Sequence, residues 1–341
     1  MPTLLLSPAV HRDFAEELRA AAGPGLQFVC VDPAQPPSAQ QLQEVDIALV
    51  SLDVIGQSTR TVLTPYMQLF CDSMRAAPGL QWMHVPSAGV DRPVFQALMR
   101  RGVRVTNSSG ANAEAVAHTA IMGVMVLARG GLHWMHAQRE HRWAPLRGPE
   151  AQADLSGQVA IVVGHGPIGR HIARLLEALG LRVHKLRHTP QPGDAALGIH
   201  GYDALRALAA EAHWLVIACP LTDATRRLVD AQVLAALPRG ACIVNVGRGG
   251  VLDEDALLAA LASGYIAGAH LDVFEQEPLP ADSPFWDLPN VLVSPHNAGS
   301  SRQYRERSVR MFIDNLRRWV QGDALRQEVE TDRTLRTASP P

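Results

Sequence analysis

Short apolar runs and longer amphipathic stretches alternate along most of the chain. In the first hundred residues the apolar runs fall at 3–7, 27–31, 46–51, 81–85 and 103–106, with segments of helical character such as 11–22 and 93–101 between them. Short apolar runs bounded by turn residues read as strands, and strands alternating with helices predict βαβ units and a parallel sheet. Residues 112–129 break the pattern: they are apolar on almost every face and stop at Gly130-Gly131, as a helix buried on all sides and closed by glycine would. Such a helix is expected between two domains. Residues 133–152, rich in Trp, His, Arg and Pro, read as an irregular connection after their first turns. From Leu155 the alternation restarts, with strands at 158–163, 181–186, 214–219, 241–248, 266–272 and 291–296. One amphipathic helix is predicted over 301–320, and the tail 331–341 reads as disordered. No internal repeat or low-complexity tract interrupts this order.

A length of 341 residues suits about two domains, each with its own core. With 31 basic against 33 acidic residues the net charge is -2, which points away from a nucleic-acid or polyanion surface. Lys185 is the only lysine, so chemistry through a lysine Schiff base has a single candidate. The four cysteines form no C-x-x-C pair, which argues against a disulfide framework or a structural zinc and fits a reducing compartment. The scattered histidines show no metal-ligand spacing, and no metal is expected. Near the N-terminus, Leu4 to Leu6 give way quickly to His11 and Arg12, too short a run for a signal sequence or a spanning helix. A soluble, cytoplasmic protein without membrane contact is expected.

Gly164-His-Gly-Pro-Ile-Gly169 follows the apolar run Val159-Ala-Ile-Val-Val163 and opens a helical stretch, 168–179. Gly164 would allow the tight turn, Gly166 the approach of a pyrophosphate, and Gly169 the packing of helix on strand, while Pro167 and Ile168 begin a helix whose unpaired N–H groups face the phosphates. A dinucleotide site usually carries an acid about 20 residues on, at the end of the second strand, for the ribose 2′-OH. Here that strand runs into Arg187-His188-Thr189 with no acid. A guanidinium can pair with a 2′-phosphate, so NADP(H) is preferred over NAD(H), which remains possible; the other reading is one more solvated arginine.

Three later strands each end on a residue suited to catalysis: Arg248 after Asn245-Val-Gly, Glu277 five residues beyond Asp272, and His296 after Ser294-Pro. Ligands sit outside the carboxyl ends of parallel strands, so the three are expected in one cleft. The planar fork of Arg248 matches a carboxylate, and the imidazole of His296 can move a proton near neutral pH. A carboxylate from Glu277 bonded to that ring would orient it and favour the imidazolium. Taken singly, each has a plainer reading: a surface-turn arginine, a surface acid before Pro278, a satisfied buried histidine. Ser87-Ala-Gly-Val-Asp91 reads either as backbone N–H groups open to an anion or as an ordinary strand-to-helix turn with Asp91 as N-cap. His118, His165 and residues 122–125 read as core or loop positions.

With these residues in view, the chain resembles the D-isomer-specific 2-hydroxyacid dehydrogenases from about Trp82 to Gly322. The resemblance rests on Ser87-Ala-Gly-Val-Asp91, Asn112-Ala-Glu-Ala-Val-Ala117, Gly164-His-Gly-Pro-Ile-Gly169, Cys219-Pro-Leu-Thr222, Asn245-Val-Gly-Arg-Gly249, Leu271-Asp-Val-Phe-Glu-Gln-Glu-Pro278 and Ser294-Pro-His296, in the family's order. It implies an α/β protein of two Rossmann-like, doubly wound parallel-sheet domains: a discontinuous substrate domain, 1–105 with 298–341, and a dinucleotide-binding domain, 106–297. It implies that Arg248 binds the substrate carboxylate and polarises its carbonyl, with His296 as acid/base and Glu277 as its partner. Backbone groups at Ala88 and Gly89 would hold the substrate. Asp272 would contact the nicotinamide end of the cofactor, with Cys219, Pro220, Thr225, Val246 and Gly247 along its path, and Arg187 and His188 would meet the adenosine ribose. The implied reaction is reduction of a small 2-oxo acid to the D-2-hydroxy acid, glyoxylate and hydroxypyruvate first, by a homodimer. Arg187 resembles the NADP-preferring glyoxylate and hydroxypyruvate reductases. Glu277 stands where formate dehydrogenases of the superfamily carry Gln, and His118 replaces a usual Glu. A phosphoglycerate-type dehydrogenase and a nucleotide-sensing, corepressor-like binding protein on the same scaffold are the alternatives.

Overall fold

The computed structural model of the chain describes residues 2–59, 62–87, 89, 90 and 92–329. It divides into two compact units, residues 1–111 with 302–341 and residues 112–301. The expected division after 105 and before 298 thus moves to 111 and 302. Residues up to 111 stay with the first unit because Arg104–Asn107 is a strand of its sheet and Arg307 Nε donates to the Ala111 carbonyl at 2.6 Å. The tail at 331–341, expected to be disordered, lies outside the described residues.

The first unit is a five-stranded sheet of β1 (Thr3–Leu6), β2 (Gln27–Cys30), β3 (Ile47–Leu49), β4 (Trp82–Val85) and β5 (Arg104–Asn107), in the order β2-β1-β3-β4-β5. Every pairing is parallel, and β1, β3 and β4 are buried throughout, which is why these runs are apolar without alternation. The first helix, Pro8–Ala22, begins where Ser7 accepts from the Val10 amide at 3.1 Å and proline fixes the first turn. The late helix Tyr304–Gln321 returns to this sheet, with Phe312 and Trp319 stacked on Trp82 at centroid distances of 5.0 and 5.4 Å.

The second unit holds seven strands: β6 (Val159–Val163), β7 (Arg182–Arg187), β8 (Ile199–Gly201), β9 (Trp214–Ile217), β10 (Cys242–Asn245), β11 (Gly268–Leu271) and β12 (Val291–Val293). Their order is β12-β11-β10-β9-β6-β7-β8, again wholly parallel. The three-residue β8 was not among the expected strands, being too short to show a period. The chain reverses direction across the sheet between β6 and β9, which opens a crevice at their carboxyl ends.

The helix Ala113–Ala128 packs on this sheet and on the helix Pro167–Ala178. It is not buried on all sides: Val116, Ala120 and Val124 are buried, whereas Met122 and Met125 are 46% and 37% exposed. One sheet face covers one helix face, and this helix has more apolar surface than that contact uses. Among the described residues, no single helix is long and apolar enough to cross a membrane.

Candidate active site

The glycine turn sits at the point where the strand order reverses. Gly164 adopts φ 111°, and a Cβ there would stand 2.8 Å from the Ala218 carbonyl and the Cys219 amide nitrogen. At Gly169 a Cβ would lie 1.7 Å from the Gly164 oxygen, so the helix Pro167–Ala178 approaches the turn only because Gly169 lacks a side chain, as the turn approaches the end of β9 only because Gly164 does. Gly166 differs: a Cβ there meets nothing within 4 Å. Open space beside the first turn of a helix is what a pyrophosphate needs. The local field agrees, since burial lowers the His165 pKa and the charges of Arg170, Arg187 and Lys185 lower it further. The residues present therefore fit a dinucleotide.

Arg187 closes β7 and is paired with Asp194 at 3.5 Å. Asp194 is 7% exposed and also accepts the Gln191 amide at 2.7 Å. Asp194, seven residues on, is thus an acidic partner of the arginine at the strand end. His188 beside Arg187 is exposed. Thr225 is buried, donating to the Pro220 carbonyl and accepting from the Thr222 amide, each at 2.7 Å, so its hydroxyl shapes the 219–225 loop from within. Burial pushes the Cys219 thiol up to about 12, which makes it an inert side chain in that loop.

The sequence-predicted trio converges at the carboxyl ends of β10 and β11 and just past β12. After β10, Val246 and Gly247 are buried, and Gly247 N donates to Asn245 Oδ1 at 3.0 Å. The next turn packs so closely on the segment after β11 that a Cβ at Gly249 would lie 1.9 Å from the Phe274 carbonyl carbon. This contact brings Arg248 within electrostatic reach of Glu277. Arg248 Nη1 donates to the Gly247 carbonyl at 2.7 Å. His296 Nδ1 and Glu277 Oε2 are 2.7 Å apart, and Phe274 N donates to Glu277 Oε1 at 3.1 Å. Burial raises the Glu277 pKa, but the His296 hydrogen bond and charge, the Phe274 amide and Arg248 outweigh it and hold the carboxyl below its ordinary value. An anionic Glu277 therefore holds one ring nitrogen, and the other is left for chemistry. Bound on one side to a carboxylate that the Arg248 charge also reaches, a half-exposed imidazole can exchange a proton with a substrate oxygen.

The chain matches the D-isomer specific 2-hydroxyacid dehydrogenase NAD binding domain over residues 121–298. It belongs to the D-isomer specific 2-hydroxyacid dehydrogenase family. A glyoxylate reductase of Korarchaeum cryptofilum is 34% identical over 253 residues, 73% of this chain and 75% of that one. The structure of a D-isomer specific 2-hydroxyacid dehydrogenase from Xanthobacter autotrophicus Py2 in complex with NADPH and MES superposes with TM-score 0.75 at 32% identity, covering 96% of this chain and 98% of that one. An NADPH-dependent glyoxylate/hydroxypyruvate reductase from Sinorhizobium meliloti, in complex with NADP and malonate, gives TM-score 0.71 at 30% identity, with 96% of each chain covered. The resemblance read from the motifs is therefore borne out: the protein is an NAD(P)-dependent 2-hydroxyacid dehydrogenase on the two-domain α/β fold expected of it.

Elsewhere in this dehydrogenase, Gly89 lies in the first unit and its carbonyl accepts from Ser87 Oγ at 2.8 Å. Ala88 and Asp91 lie outside the described residues. His118 is exposed on the helix Ala113–Ala128, and nothing in the structure explains its place there. Asp272 is 1% exposed, and its carboxylate accepts from Ser294 Oγ, Asn297 N and Ala298 N at 2.6, 2.9 and 3.0 Å. Sequence reasoning passed over Asp194 and Glu254, and named Ser294 within the Ser294-Pro-His296 motif without a role; the Glu254 Oε1 accepts from the Glu275 amide at 2.6 Å, two residues before Glu277. A polar residue inside or beside an apolar strand was the available signal for Ser294. For the two acids, only the folded chain reveals a partner.

Proposed function

We propose that the chain reduces small 2-oxo acids, glyoxylate and hydroxypyruvate first, to the 2-hydroxy acid, D-configured where the product is chiral, with NADPH preferred. The observation that carries this reading is the 2.7 Å pair of His296 and Glu277 near Arg248 at the strand ends. The nicotinamide, when bound, supplies the hydride. Arg248 binds the substrate carboxylate with its remaining donors, and its charge polarises the adjacent carbonyl. His296, protonated and held through Nδ1 by anionic Glu277, gives its Nε2 proton to the carbonyl oxygen as it becomes an alkoxide. Asp272 anchors the loop that carries His296. Gly164, Gly166 and Gly169, with the start of the helix Pro167–Ala178, would hold the pyrophosphate, and Arg187 with His188 the 2′-phosphate. The relatives that carry NADPH or NADP support that preference, and Asp194 beside Arg187 leaves room for NADH.

The test is initial-rate oxidation of NADPH and of NADH with glyoxylate, hydroxypyruvate, pyruvate and longer 2-oxo acids. Faster turnover with NADPH on the two smallest oxygenated acids is expected. Cofactor binding without turnover of any acid would make the chain a nucleotide-sensing protein instead. A homodimer belongs to the same proposal. Met122, Met125, Trp134 and Met135 are exposed on the successive helices Ala113–Ala128 and Gly131–Arg139, and a two-fold pairing would cover them. Light scattering of the purified chain should give twice its 36.9 kDa. The four free cysteines support a reducing, cytoplasmic setting.

A further inference from the structure

His270, a fully buried histidine on β11, takes no part in the steps above. Its Nε2 lies 3.1 Å from Ser294 Oγ, which in turn lies 2.6 Å from Asp272 Oδ1. A carboxylate oxygen only accepts, so the Ser294 hydroxyl proton points to Asp272 and the histidine nitrogen must donate to Ser294. His270 thus carries a proton on Nε2, and burial lowers its pKa against the opposing charge of Asp272. Its Nδ1 is buried without a partner. The order is the reverse of a nucleophilic Ser-His-Asp array, in which the imidazole takes the serine proton; Ser294 is oriented here, not activated.

The end of this chain of donors is the loop that carries His296. The Asp272 carboxylate receives the amides of Asn297 and Ala298 at 2.9 and 3.0 Å, and its backbone carbonyl receives the His296 amide at 2.7 Å. His296 itself has φ 52°, a left-handed conformation that side-chain-bearing residues adopt with strain. Such strain persists where the surroundings over-determine the backbone, and Asp272 grips the residue from both sides. The helix Ala113–Ala128 makes room for the histidine. A Cβ at Gly123 would lie 2.1 Å from His270 Nδ1 and 2.6 Å from Cγ, so a residue that weakens a helix interior stands opposite the one strand side chain that needs its space.

We propose that His270 is a positioning residue: by donating to Ser294 it sets the Ser294–Asp272 clamp that holds His296 in its left-handed conformation. The proposal rests on His296 being the acid/base. It is tested in the full-length protein with His270→Leu, which removes the donor at similar volume, His270→Gln, which keeps a terminal N–H, and Ser294→Ala. In NADPH-dependent glyoxylate reduction, the Leu and Ala variants should lose about tenfold or more in kcat, as misplacement of a reacting group does. Their NADPH affinity, read by nucleotide fluorescence, should stay within about twofold, and His270→Gln should recover most of the lost kcat. Wild-type kcat in His270→Leu, or equal impairment in the Leu and Gln variants, overturns the proposal. Should His270→Leu fail to fold, Ser294→Ala decides, and wild-type kcat there has the same meaning. His296→Ala separates the two layers. Full activity in that variant removes the acid/base reading, whereas an inactive His296→Ala beside a fully active His270→Leu removes only the positioning role.

Discussion

Two regions of the second sheet solve different problems with different materials. At β6 and β7 the site is made of backbone: glycines at 164 and 169 let a helix and a neighbouring strand approach, and Gly166 leaves a space. At β10 to β12 it is made of side chains, each held by another: His296 by Glu277, Glu277 by Phe274, and the His296 loop by Asp272. A phosphate chain needs donors and room, which a bare helix start supplies. Proton transfer needs one nitrogen at one place, and a single side chain without supports does not stay there.

The sharpest break of this comparison is expected in the side-chain region. His296→Ala should reduce kcat by roughly 10²- to 10⁴-fold, the usual worth of a general acid, while NADPH affinity measured by fluorescence titration stays near wild type. A matching loss of cofactor affinity would mean that His296 belongs to the binding surface rather than to the chemistry.

In the backbone region two glycines should part company. Gly169→Ala should lose ~1–3 kcal/mol of stability in urea unfolding, because its Cβ has no room beside the Gly164 carbonyl. Gly166→Ala should stay within about 0.5 kcal/mol yet bind NADPH more weakly, since its added methyl occupies only space meant for the ligand. Identical behaviour of the two would erase the distinction between a packing glycine and a ligand glycine.

Between the two regions in size of effect comes Arg187→Asp. Loss of a charged hydrogen bond to phosphate is worth ~1.5–3 kcal/mol, so the NADPH-over-NADH ratio of kcat/KM should fall by about tenfold or more. An unchanged ratio would take Arg187 out of cofactor selection and leave it as the counter-ion of Asp194.

The smallest effect concerns pH. Burial, then repulsion from Glu275, Asp255 and Glu277, push the Glu254 carboxyl up to about 7 against the Glu275 amide that lowers it. Its folded pKa lies above its ordinary 4.5, so between those values the folded chain holds the extra proton. Stability should then fall as pH rises from about 4.5 through about 7. Glu254→Gln keeps an acceptor for the Glu275 amide and should flatten that slope, as read from thermal unfolding at pH 5 and pH 8. Parallel slopes in the two proteins would show that the carboxyl is charged throughout.

What was legible in the chain follows the same division. The parallel sheets showed because both faces of β3, β4, β6 and β9 are buried, which leaves unbroken apolar runs. The glycine turn showed because a backbone site depends on the spacing of residues near one another in sequence. Arg248, Glu277 and His296 showed by their places at strand ends. The apolar helix was misjudged as buried on all sides because composition records how much apolar surface exists, and Met122 and Met125 remain uncovered.

Sequence by itself determined the two-sheet α/β plan, the glycine turn after β6 and the choice of Arg248, Glu277 and His296 as the candidate trio, since each is written in local periodicity or short spacing. Only the tertiary structure decided that Asp194 stands against Arg187, that Glu254 meets the Glu275 amide, and that Gly123 opens a place for His270 behind Asp272. Those pairings join residues from separate elements. Their energies arise from burial and hydrogen-bond geometry, which come into being when the strands and helices pack together.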